Sequence, residues 1–201
     1  MTVATTLFLI RHAAHGIVGD VLCGRMPGVH LSEAGQRQAA LLARHLARQG
    51  LAAVYSSPLP RALETAALIA DRMRLDVRIH CGLNEIDFGE WTGHSFASLA
   101  GLPEWTRWNS ERTSSRPPGG ETMQEVQQRV LRYVQDMTKA HPDVAVAAVS
   151  HADVIKAVVA GVLGFSLDAH ARFEIAPASL TTLLFWSGGA KLLRMNEVVA
   201  A

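Results

Sequence analysis

Lysine is scarce in this chain of 201 residues, with three (Lys139, Lys156, Lys191) among 19 basic residues. The 18 acidic residues leave a formal net charge of +1, so the basic excess expected of a protein that binds nucleic acid or a membrane surface is missing. Two cysteines, Cys23 and Cys81, form no CxxC and no metal-ligand spacing, so no zinc framework is expected. No basic segment followed by a long apolar run opens the sequence, and no apolar stretch approaches a membrane span. HExxH and a convincing GxSxG elbow are missing. The stretch GDVLCGRM at 19–26 imitates a P-loop, but Arg25 stands where lysine is needed and Met26 where a hydroxyl should hold magnesium. Hydrophobic residues make up 49% and charged residues 18%, a globular composition. The expectation is one soluble, cytoplasmic domain over 1–201, without metal or cofactor, as a monomer or homodimer.

Apolar runs without alternation mark strands buried on both faces, and helical spacing marks the elements between them. TTLFLI at 5–10 and VAVAAV at 144–149 are such runs, and the spacing predicts shorter strands at 52–55 and 77–80. Ser32 is placed to cap a helix reaching about Gln49, and Pro60 stands near the start of one reaching about Met73. Glu121 opens a third helix to about Ala140, and an Ala/Val-rich helix follows His151. SLTTLLFWSGGAKLLRMNEV reads as two strands joined by a tight Gly-Gly turn. Strands alternating with helices predict an α/β fold, a three-layer sandwich with a mainly parallel central sheet. The loop-rich segment 82–120 is read as a lid-like insertion, where Trp91, Trp105 and Trp108 serve packing.

Three of these strands end in polar residues: LFLI in Arg11 and His12, AVY through Ser56-Ser57 to Arg61, and VAVAAV in Ser150 and His151. Ligands of an open parallel sheet bind outside the carboxyl ends of its strands, so these side chains are expected in one crevice. Two guanidinium forks and two imidazoles suit a phosphoryl group, and a neutral imidazole can attack phosphorus without first losing a proton. His12 is the candidate nucleophile. The departing oxygen needs a proton, and LNEIDFGEW offers Glu85, Asp87 and Glu90 without choosing among them. Simpler readings exist for each residue alone: Arg11 as a strand end reaching water, Arg61 paired with Glu64 on a helix surface, His151 as a satisfied core histidine. Asp153 reads as a first-turn aspartate facing the helix dipole, and His15 and His94 fall in loops near the motifs.

The chain resembles the histidine phosphatase superfamily, in its phosphoglycerate mutase-like branch. The resemblance rests on four blocks in order: Arg11-His12 after the first strand, SSPLPRALETA, LNEIDFGEWTG and VSHADVIKAV. It implies the phosphoglycerate mutase-like fold, phosphorylation of His12, phosphoryl oxygens held by Arg11, Arg61 and His151, and Glu85 as proton donor. Ala152 and Arg25 complete the candidate substrate-binding set. Ala13, Ala14 and Ala152 stand where the family commonly has glycine, glutamate or glutamine, and glycine, and the family's asparagine a few residues on has no match.

The expected activity is metal-independent hydrolysis of a small phosphomonoester through a phosphohistidine intermediate. A phosphoglycerate-type mutase would return the phosphoryl group to its substrate, and it favours longer closing segments than this insertion. A non-catalytic phospho-ligand-binding protein would have no use for a nucleophile, clamp and acid together. The partner is a small phosphorylated substrate, with specificity expected in residues 13–30 and 91–120. Sugar phosphates, α-ribazole phosphate, phosphoglycerates and phosphohistidine of proteins are the candidates implied by the family.

Overall fold

A strand apolar on both sides needs a layer on each face, and the computed structural model, which describes residues 3–199, supplies both. Strand β1 (Ala4–Arg11) sends Leu7 and Leu9 to one face and Phe8 and Ile10 to the other. The sheet holds six strands in the order β3-β2-β4-β1-β5-β6, with β2 at Leu51–Ser56, β3 at Val77–Ile79 and β4 at Ala145–Ser150. These four run parallel, and the hairpin of β5 (Ser179–Trp186) and β6 (Gly189–Val198) adds antiparallel to β1.

Helices α1 (Glu33–Leu46) and α2 (Pro60–Met73) cover one face, packing Leu42, Leu46, Ala66 and Ile69 against Phe8, Ile10 and Val149. A 3-10 turn at Cys81–Leu83 leads into the 82–120 segment, which holds a second at Gly89–Trp91, α3 (Phe96–Leu99) and α4 (Pro103–Ser110). Helices α5 (Met123–Ala140) and α6 (Ala152–Leu163) cover the other face, where Val126, Val130 and Val158 meet Leu7 and Leu9. Trp91, Leu99 and Trp108 of the 82–120 segment are buried in that same core, so the segment is packed onto the domain along its length. Trp105 packs edge-on against Trp91.

Two sequence expectations shift by small amounts. Helix α5 opens at Met123, two residues after Glu121, because Thr122 and Glu125 form a reciprocal capping box. Helix α1 ends at Leu46, short of Gln49.

The neighbours β1 and β4 send their following helices to opposite faces, α1 to one and α6 to the other. A crevice therefore opens at their carboxyl ends. Its floor is fixed by the start of α1: Ser32 donates to the Ala14 carbonyl through its N–H at 3.0 Å and its hydroxyl at 3.2 Å. Gly35 lets the same carbonyl lie against the helix, since a Cβ there would overlap its oxygen. Gly35→Ala should lower stability by about 1–3 kcal/mol, a fall of several degrees in the thermal midpoint. An unchanged midpoint would show that the loop after His12 is free to shift.

Candidate active site

The crevice receives charged or titratable side chains from several of the elements around it. His12 follows β1, and its backbone N–H donates to Ser150 at the end of β4 at 2.9 Å. Arg61 is the second residue of α2, whose first helical position is Pro60, a residue with no N–H to leave unsatisfied. His151 is the N-cap of α6. Glu85 comes from the loop after the turn at Cys81–Leu83, which Ser150 holds by donating its hydroxyl to the Leu83 carbonyl at 2.7 Å.

His12 is 3% exposed. Its Nδ1–H donates to the Ala13 carbonyl at 2.9 Å, which leaves the Nε2 lone pair facing Arg61, whose Nε–H donates to it at 3.2 Å. Burial lowers the His12 pKa well below the ordinary imidazole value, and the Arg61 charge pushes the same way. The ring is therefore neutral at physiological pH. Arg61, 1% exposed, also donates from Nη2 to the Gly24 carbonyl at 2.7 Å and to His151 Nδ1 at 3.3 Å. His151, fully buried, donates from Nε2 to Ser57 Oγ at 2.8 Å. The two imidazole rings lie 5.1 Å apart.

Glu85 is also buried. Burial and, after it, the Asp153 carboxylate raise its pKa to about 7, against the Arg61 charge and the Ile86 N–H. A carboxyl poised there can give and regain a proton near neutral pH. Its backbone is clamped as well: the Glu85 carbonyl accepts from Arg25 Nε at 2.8 Å and Arg129 Nη2 at 3.2 Å, and Glu121 bridges those two arginines.

Arg11, His12, Arg61, Glu85 and Ala152 line one cavity of about 250 Å³. Two other expectations resolve differently, and one of the simpler readings fails. Arg25 is not among the lining residues, because its guanidinium is taken up by the Glu85 carbonyl, Asp87 and Glu121. His151 stands behind Arg61 instead of at the cavity surface. Arg61 does not pair with Glu64, which binds His30 and the Leu31 N–H.

The alanine at position 13 carries no strain, since it is not among the residues with positive φ, and its N–H donates to Thr65 Oγ1 at 3.0 Å. His15 does reach the cavity, with its ring stacked 5.4 Å from that of His12, whereas His94 does not. Sequence reasoning passed over Arg112 and gave Asp153 no more than a role at a helix start. The two pair across the cavity wall at 3.4 Å. The one available signal was Arg112 lying inside the expected specificity segment.

Buried N–H groups without a partner cost about 1–3 kcal/mol each. Arg11 Nε, Arg61 Nη1 and Arg112 Nε are all of this kind, and their residues all line this cavity. Such a set of donors suits an anion. No cluster of three His, Cys, Asp or Glu side chains able to hold a metal ion occurs among the described residues.

Comparison with known proteins gives the site a context. A family model described as histidine phosphatase superfamily (branch 1) matches residues 7–198. A bifunctional protein of Mycobacterium tuberculosis is 36% identical over 193 residues, which are 95% of this chain and 53% of that protein. The chain thus spans about half the length of the first curated relatives it matches. Phosphoserine phosphatase 1 of Hydrogenobacter thermophilus is 33% identical over 195 residues, covering 94% of this chain and 91% of that one. Among solved structures, a mycobacterial glucosyl-3-phosphoglycerate phosphatase superposes with a TM-score of 0.87 at 27% identity, covering 96% of this chain and 99% of the other.

The buried titratable groups set the pH dependence of stability. His12 and His151 have lowered folded pKa values, so below about pH 6.5 the unfolded chain binds protons that the folded one refuses. That contribution to stability is present above pH 6.5 and is lost as pH falls. Glu85, raised to about 7, acts oppositely, because the folded state keeps a proton that the unfolded carboxyl has released. Two imidazoles outweigh one carboxyl, and His15, pushed down to about 4, adds to their side. Unfolding free energy from denaturant titrations should fall by about 1–3 kcal/mol between pH 7.5 and 5.5. A rise over that interval would mean that the imidazoles are charged in the folded state.

Proposed function

This chain belongs to the histidine phosphatase superfamily, and from that membership and the cavity we propose that it hydrolyses small phosphomonoesters through a phosphohistidine at His12. The observation that carries the reading is the neutral, buried His12 ring with its Nε2 lone pair aimed at Arg61, and with the proton-bearing Glu85 lining the same cavity. The phosphatase names of relatives that match over nearly their full length support it. So does the enrichment of the cavity in unpartnered cationic N–H groups.

In this mechanism the phosphoryl oxygens lie between Arg11 and Arg61, and His151 stands behind Arg61, accepting from its Nη2 and orienting the fork. Their charge and hydrogen bonds are fixed before substrate arrives, so little reorganisation accompanies reaction. The Arg61 Nε–H exchanges His12 Nε2 for a phosphoryl oxygen, which frees the lone pair. Nε2 forms a bond to phosphorus as the bond to the ester oxygen breaks, and Glu85 transfers its proton to that oxygen. The Ala13 carbonyl holds the Nδ1 proton throughout and stabilises the positive charge that grows on the ring. Glu85, now a carboxylate, takes a proton from a water molecule that attacks phosphorus. The N–P bond breaks, inorganic phosphate leaves, and both groups return to their starting states. Asp87 and Glu90 do not line the cavity and take no part: Asp87 accepts from Arg25 and the Gly89 N–H.

Replacing His12 by alanine should abolish both turnover and acid-labile labelling of the protein by a phosphoryl donor. Persistence of either overturns the mechanism. Because Glu85 must carry its proton for the first step, kcat/KM for an alkyl phosphate should fall above about pH 7. Glu85→Gln should remove that limb and lower kcat roughly 10²–10⁴-fold. An unaltered pH profile in this variant would assign the proton to another group. Excess EDTA should leave turnover unchanged.

A further inference from the structure

In the proposed mechanism the phosphoryl group occupies the Arg11, Arg61 and His12 end of the cavity, leaving one charged pair in the wall without a task. Arg112 is 5% exposed and lies over the Trp108 ring, 4.5 Å from its centroid. Its Nη2 donates to Asn109 Oδ1 at 2.9 Å, its Nη1 reaches Asp153 Oδ1 at 3.4 Å, and its Nε has no partner. Asp153 lies in the first turn of α6, and after burial its charge is the largest influence raising the Glu85 pKa. A contact of 3.4 Å is long for a charge-assisted hydrogen bond, which is usually about 2.7–2.9 Å. The pair is thus loosely made, beside the group that would protonate the leaving oxygen.

We propose that Arg112 and Asp153 read the leaving group of the substrate, and that this leaving group is a small zwitterion carrying a carboxylate and an ammonium close to the ester oxygen, as in a phosphorylated β-hydroxy α-amino acid. The proposal rests on the phosphatase reading, since it takes the ester oxygen to lie beside Glu85. In such a substrate one carbon separates the carbon bearing that oxygen from both charged groups. At about 1.5 Å per bond, both fall within a few ångströms of the ester oxygen, in the cavity that Glu85, Arg112 and Asp153 line together. The carboxylate meets Arg112 and its unpartnered Nε–H, and the ammonium meets Asp153, so each half of the protein pair exchanges its partner for a ligand group.

Other leaving groups match the wall less well. A carboxylate alone satisfies Arg112 but sets a second anion against Asp153, and an ammonium alone leaves Arg112 as it was. A sugar must desolvate its hydroxyls against Phe88, Phe96 and Trp105. At about 250 Å³ the cavity also falls below the roughly 300–1,000 Å³ of sites for drug-sized ligands, which favours the smallest of these.

The test is kcat/KM for O-phospho-L-serine, 3-phosphoglycerate, phosphoethanolamine and an aryl phosphate, for the unmodified protein, Asp153→Asn and Arg112→Gln. The unmodified protein should prefer phosphoserine to both single-charge analogues by at least roughly tenfold. Asp153→Asn should cut the phosphoserine to 3-phosphoglycerate ratio about tenfold, and Arg112→Gln should do the same to the phosphoserine to phosphoethanolamine ratio. Ratios within one variant cancel any change in Glu85 acidity, which acts on each alkyl phosphate alike. A pair that merely ties the 82–120 segment to α6 would change stability and leave the ratios alone, and that result overturns the proposal. So does equal use of the three alkyl phosphates by the unmodified protein, a measurement that stands even if Arg112→Gln fails to fold. Aryl phosphate turnover without phosphoserine preference removes this assignment alone, whereas failure to turn over any substrate or to label His12 removes the phosphatase reading beneath it.

Discussion

The Arg61 guanidinium is almost wholly buried at the carboxyl edge of the sheet, and the groups around it must both accept its hydrogen bonds and take their protonation states from burial beside that cation. An unpaired buried charge is strongly destabilising, so the surroundings must supply acceptors. Gly24 offers a carbonyl, and His12 and His151 offer ring nitrogens. Both rings can accept because they are neutral, and they stay neutral because burial and the same cation oppose a second positive charge. Glu85 is the one buried carboxyl among the described residues. Its burial outweighs the attraction of Arg61 and keeps its proton near neutral pH. One buried arginine thereby accompanies both a free imidazole lone pair and an available acid.

Holding Glu85 near that arginine requires its loop to be rigid, and the backbone carries the load. Arg25 and Arg129 converge on the Glu85 carbonyl, with Glu121 joining them and accepting the Asp87 N–H at 3.2 Å. The loop then crosses the 117–121 segment so closely that Gly89 and Gly120 each face a carbonyl where a Cβ would stand, and Gly89 has φ +53°. The breaker SSRPPGG is in this sense part of the site: it lets Glu121 donate its N–H to the Asp87 carbonyl at 2.8 Å.

Much of the fold was legible because its elements announce themselves locally. The unalternating run at 5–10 became a central strand with helices on both faces, and Ser32 and Pro60 marked helix starts within a residue. The residues lining the cavity were legible to the extent that they sit at strand ends, as with Arg11 and His12, or at a helix start, as with Arg61 and Ala152. Arg25 shows the opposite case. An arginine in a glycine-bearing loop near the site carries no local sign of whether it faces substrate or a backbone carbonyl, and here Asp87 and Glu121, 62 and 96 residues away, hold it. Arg112 and Asp153, 41 residues apart, could not be paired from spacing for the same reason.

The sequence by itself determined which chemistry was available, because strand periodicity, the Arg-His pair and the ordered motif blocks are properties of neighbours along the chain. What only the tertiary structure decided is which nitrogen of His12 is free, how far Glu85 is pushed from its ordinary pKa, and which arginines face the cavity. Those depend on burial and on charges brought together from β1, α2, the 84–90 loop and α6. Desolvation and Coulomb interactions act through space, over distances that no count of residues supplies.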